Sequence, residues 1–137
     1  MPLAVLRPDD WDFPLLLHVL GAMLLVGTLV VVVTALFAAW RNRDDAQTAA
    51  LRRLAFATLL AGGLPSYVLM RIGAEWIASE ENLDDADVGW IDLGYVVADL
   101  GLVVMVLTTV LAGLAVRRGT AGGTLGRVAG VLAAVLV

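Results

Sequence analysis

Three stretches of this chain are apolar for longer than any single helix of a small soluble domain could bury. They run over about 13–40, 54–78 and 89–116, and charges inside them are rare. Each exceeds the ~18 apolar residues that mark a membrane-crossing helix. A water-soluble alternative would need helices apolar on every side, which only a much larger core could cover. With 137 residues, 61% of them hydrophobic, this chain has no such core to offer. The expected class is therefore all-α, a transmembrane four-helix bundle forming one integral membrane domain.

Local signals set the expected boundaries. Pro14 suits the first turn of helix one, where its missing N–H costs nothing. Trp11 and Trp40 bracket that span like an aromatic belt. The segment 41–53 reads as a polar loop, helical towards its end. Helix two contains Gly62-Gly63-Leu64-Pro65, and the proline predicts a kink near Ala61. The stretch 119–123 reads as a turn, and a fourth helix starts near Thr124. From Arg127 to Val137 is ~15 Å of helix, about half the hydrocarbon core. The expectation is that the natural chain continues beyond Val137.

Arginine placement predicts orientation. All nine basic residues are Arg, and seven lie at 41, 43, 52, 53, 117, 118 and 127. The segment 79–92 has six carboxylates and no base. By the positive-inside rule, loops 41–53 and 117–127 face the cytoplasm of a bacterial plasma membrane. The N-terminus and the acidic loop then lie outside. The acidic run lacks the ligand spacing and central Gly of an EF-hand loop and reads as a solvated loop. The inner arginines are accounted for by topology and anionic lipid, so no nucleic-acid partner is expected.

Within the spans, Arg71 and Asp99 stand out, because an intramembrane ionisable residue is costly and by default marks a site. Arg71 lies roughly 10 Å below the outer end of helix two, and Asp99 roughly 15 Å down helix three. Tyr67, Arg71 and Glu75 share one helix face; Asp92, Tyr95 and Asp99 share another. Facing each other, these stripes would form a ligand or ion pocket open to the outside. They would equally suit a charge pair that clamps two helices, or side chains that snorkel to the headgroups. A small channel or transporter would use Arg71 and Asp99 for its path.

His18 is the chain's single histidine, and cysteine is absent. It could ligate haem or copper, serve a quinone, relay protons or hydrogen-bond to a neighbouring helix. A second ligand would come from Met23, Met70, Met105 or another copy. Gly122, Gly126, Gly130 and Ala134 recur every four residues, a ridge that lets helices approach closely within the chain or in an oligomer. Gly94, Ala98 and Gly101 suggest the same on helix three. No phosphate-binding loop, HExxH or Ser–His–Asp pattern is present, so a non-enzymatic role is expected. The chain would then be a binding protein or a subunit of a membrane complex.

The stretch Leu17-His18-Val19-Leu20-Gly21-Ala22-Met23-Leu24-Leu25-Val26-Gly27 resembles the first helix of small bacterial integral membrane proteins. More distantly it is similar to the copper-resistance D family. The resemblance implies a small four-helix inner-membrane protein, with His18 at a position linked in relatives to haem or metal.

Overall fold

The computed structural model describes residues 12–80 and 89–137. Trp11 and most of the acidic loop lie outside the described residues. All regular structure in the described part is helical: α1 (Asp12–Arg41), α2 (Asp45–Thr58), α3 (Leu64–Glu80), α4 (Gly89–Arg117) and α5 (Gly123–Val135). Five π-helical residues, Leu59–Gly63, join α2 to α3, so that Asp45–Glu80 is one run of 36 residues. This run, α1 and α4 are each long and apolar enough to cross a membrane. Less than a third of each apolar window is buried within the chain, as expected of surfaces whose solvent is lipid.

The polar segment 41–53 proves to be mostly helix, with a connection of only three residues, 42–44. The cause is a cap. Asp44 Oδ1 accepts from Ala46 N at 2.8 Å and from Gln47 N at 3.2 Å, satisfying donors that a helix start leaves unpaired. The helix therefore begins near the start of this segment rather than only towards its end, and Arg52 and Arg53 lie well inside it.

The proline of helix two acts by widening the helix. Pro65 lacks an N–H, and its ring would clash with the carbonyl four residues back. The chain shifts just upstream to longer hydrogen bonds, with Leu64 N–H donating to Leu59 O. At the other turn, Gly119 has φ +56°, the left-handed conformation that lets α4 end without strain. A 3-10 turn, Gly119–Gly122, then leads into α5.

The core lies towards the arginine-rich end. Leu29, Val32, Ala35 and Leu36 of α1 meet Ala55, Leu59, Ala112 of α4, and Ala129 and Ala133 of α5. Buried Thr108 and Thr109 donate to the carbonyls of Val104 and Met105, so neither hydroxyl is left unpaired. The packing ridge is Gly122, at the cap of α5, with Gly126, Ala129, Gly130 and Ala133 along it; Ala134, expected to share it, is exposed. A side chain at Gly122 would overlap the backbone of Ala115, and one at Gly130 would press on Leu36.

An equally close backbone approach, between α1 and α3, involves two glycines not expected from the sequence to serve packing. A Cβ on Gly73 would stand 2.5 Å from His18 N and 2.7 Å from Pro14 O, and one on Gly21 would overlap Met70. These two glycines let α1 and α3 cross nearly in contact. Gly94 and Gly101 instead face open space within this chain. Beyond the crossing, α4 packs on α2 and α5 rather than on α3. A cleft between α3 and α4 is left at the acidic end, bridged by side chains.

Candidate functional site

Helical spacing brings the bridging groups together. Tyr67, Arg71 and Glu75 recur every four residues along α3, so they form a stripe on the side of the cleft. Arg71 Nε donates to Glu75 Oε1 at 2.8 Å on its own helix. Its Nη1 reaches across to Asp99 Oδ1 at 3.3 Å. The guanidinium also lies over the Tyr95 ring, 4.8 Å from the centroid. Tyr95 returns a hydrogen bond to Glu75 Oε2 at 3.4 Å. Buried Tyr67 donates its hydroxyl to the Ala98 carbonyl at 3.1 Å, a second tie between α3 and α4.

Four of the six residues singled out on these two stripes, Arg71, Glu75, Tyr95 and Asp99, therefore belong to one network, and Tyr67 makes a separate tie between the same helices. The sixth, Asp92, is exposed in the first turn of α4 and has no ion pair among the described residues. The network carries one formal positive and two negative charges. Its carboxylates, with side chains 50% (Glu75) and 68% (Asp99) exposed, are more open than Arg71. Such an arrangement repels an anion and leaves room for a neutral or donor-rich head group.

His18 is placed by the α1–α3 crossing. Because Gly21 and Gly73 bring the backbones together, His18 Nδ1 comes within 3.0 Å of Met70 O. A carbonyl can only accept, so Nδ1 carries the hydrogen and donates. In the neutral ring this makes Nε2 the lone-pair nitrogen, the tautomer that backbone carbonyls commonly fix in ligand-binding histidines.

Next to this histidine is a cavity of about 390 Å³. His18, Met70, Arg71, Ala74, Trp90 and Tyr95 contribute to its wall. The lining is mostly apolar, with His18, Arg71 and Tyr95 as its polar side chains. Glu75, Asp99 and Tyr67 do not line it; the two carboxylates hold Arg71, and Tyr67 ties α3 to α4. Of the three methionines named as possible partners for His18, Met70 shares this cavity. Met105 is buried in the core and Met23 is exposed. Among the described residues no three His, Asp or Glu side chains gather as a metal cluster would.

Trp90, Ala74, Gly21 and Gly73 were missed as contributors by sequence reasoning. The glycines had a signal available: Gly21 follows His18 by three residues and Gly73 follows Met70 by three, a small residue one turn from each partner of the interhelical bond. No family model, curated protein or solved structure matches this chain.

Replacing His18 by Leu should keep the apolar packing and remove the bond to Met70. A loss of about 0.5–1.5 kcal/mol is expected, the range for interhelical hydrogen bonds in membranes. Reversible detergent unfolding in bicelles measures it.

Proposed function

We propose that this chain is a four-helix plasma-membrane protein that binds a lipophilic molecule bearing a hydroxyl or carbonyl head, of which a quinone or quinol is an example. The N-terminus and the acidic end face outward, and binding involves no catalysis. One observation carries the reading: a mostly apolar cavity whose few polar edges include a tautomer-fixed histidine and a held guanidinium. Apolar lining with a small number of placed polar groups is the usual make-up of a small-molecule site. The Arg71 donors suit a carbonyl oxygen, and His18 Nε2 suits a hydroxyl. The charge excess of Glu75 and Asp99 disfavours an anionic head. The open face at Gly101 supports assembly with a second copy or another membrane subunit.

The test uses Trp90, which lines the cavity and would be quenched by a bound quinone. Titrating 1,4-naphthoquinone into protein in zwitterionic nanodiscs should give saturable quenching. Ala74→Phe, which fills the cavity, and His18→Leu should each weaken binding by about tenfold, the loss of roughly one well-placed contact. Unsaturable quenching, identical in wild type and Ala74→Phe, defeats the proposal because it reports partition into lipid alone.

A redox component holding copper or haem iron is the second reading, favoured by the placement of Met70 in the same cavity as His18. An imidazole nitrogen with a thioether sulfur is a donor set that both metals accept. The likeness of 17–27 to the first helix of the copper-resistance D family supports the same reading. A metal-dependent absorption band lost in both His18→Leu and Met70→Leu would establish it, and a colourless, metal-free protein after gentle purification would remove it.

A further inference from the structure

The arginine-rich end holds a second cavity, of about 320 Å³, between the end of α1, the start of α2 and the turn into α5. Arg52, Arg127, Thr48, Thr120, Trp40 and Asp45 contribute to its wall. Its two guanidinium groups are not neutralised by an acid. Among the described residues the ion pairs are those of Arg71, so neither Arg52 nor Arg127 is matched by a carboxylate. Asp45 lies in the wall without pairing with either, which leaves the lining with a net formal charge of +1.

Both guanidinium groups are held in place. Arg52 Nη1 donates to the Gly119 carbonyl at 2.7 Å, on the turn where φ is positive. The rest of its head lies along α5: a Cβ on Gly126 would come within 3.3 Å of Arg52 Nε, and one on Gly123 within 3.7 Å of Nη2. The glycines of α5 thus have a use besides helix packing, since they clear the space in which Arg52 lies. Arg127 is stacked over Trp40, with Cζ 5.5 Å from the ring centroid. Two held guanidinium groups, neither in an ion pair among the described residues, with two nearby hydroxyls suit the charge and donor needs of a phosphate ester.

We propose that this cavity binds a phosphate monoester or diester, held between Arg52 and Arg127, with Thr48 and Thr120 as neutral donors. The phosphate could arrive on an acidic phospholipid or as a soluble ion. The site lies at the end of the apolar run of α1, where Trp40 marks the headgroup level, and basic cavities between spanning helices suit lipid phosphates. This site is separate from the histidine cavity and stands whatever that cavity binds.

The full chain in phosphatidylcholine nanodiscs should be compared with nanodiscs containing phosphatidic acid or phosphatidylglycerol, with native mass spectrometry reading retained lipid. A parallel arm titrates inorganic phosphate into the phosphatidylcholine nanodiscs and follows Trp fluorescence. The expected result is saturable retention of the acidic lipid, reduced about tenfold in Arg127→Gln and further in Arg52→Gln/Arg127→Gln. In the control Arg41→Gln/Arg117→Gln, which removes equal charge outside the cavity, retention should stay within about twofold. Saturable binding of phosphate alone, lost in the same variants, assigns the site to the soluble ion. Equal losses in the control and cavity variants would overturn the proposal in favour of diffuse surface attraction, as would the absence of saturation in both arms. Arg52 also supports the turn at Gly119, so Arg127→Gln and Thr120→Val, which leave that bond intact, keep the test decisive if the double variant does not fold.

Discussion

Gly73→Ala should destabilise the protein by about 2–3 kcal/mol, although alanine is the better helix former. The added carbon would stand 2.5 Å from His18 N, 2.7 Å from Pro14 O and 2.8 Å from His18 Cα. All three are backbone atoms that cannot rotate aside, so α1 and α3 must separate. Separation also stretches the bond from His18 Nδ1 to Met70 O. The same substitution at Gly101 meets nothing within 4 Å. It should be neutral or stabilise by up to about 1 kcal/mol through helix propensity. Opposite signs for one chemical change separate close packing from backbone entropy. Reversible unfolding in bicelles gives both values, and a harmless Gly73→Ala would remove the crossing from the account of the fold.

Arg71→Met should cost about 2–3 kcal/mol in a bilayer, because it leaves two carboxylates with no counter-charge at membrane depth. The two partners contribute differently. Glu75 at 2.8 Å lies one turn along on α3 and ties nothing to another helix. Asp99 at 3.3 Å spans the cleft and holds α4. Asp99→Asn is thus expected to loosen α3 from α4, seen as a longer spin-label distance across the cleft, whereas Glu75→Gln is not. The triple neutral variant Arg71→Met/Glu75→Gln/Asp99→Asn should regain most of the stability lost by Arg71→Met, since apolar or neutral replacement of an ion network is often tolerated. If the triple variant is stable and still fails to bind naphthoquinone, the arginine acts in recognition as well as in clamping. A stable triple variant with unchanged binding and unchanged flux across vesicles reduces the network to a clamp.

Much of the cleft was legible beforehand because helical geometry is rigid. Residues four apart on α3 and three and four apart on α4 had to share faces, and two costly charges at similar depth had to find each other. What spacing alone left open was which members line a space and which do not. Asp92 fits the stripe by number and yet lies in the exposed first turn of α4. Asp44 and Gln47 stand three residues apart as a helix-start signal that the reading of 41–53 as a polar loop, helical only towards its end, left unused, and α2 begins at Asp45.

Length, apolarity and the separation of arginines from carboxylates were determined by sequence alone, since they depend on totals over a whole span. They were enough for an all-helical chain with three membrane-long helices, one arginine-rich end and one acidic end. The tertiary structure decided which faces meet. A helix apolar all round has no preferred side, so packing follows local fit: Gly21 and Gly73 where backbones touch, and Gly126 where Arg52 needs room. From those contacts follow the gap between α3 and α4, the fixed tautomer of His18, and the cavity beside Arg71.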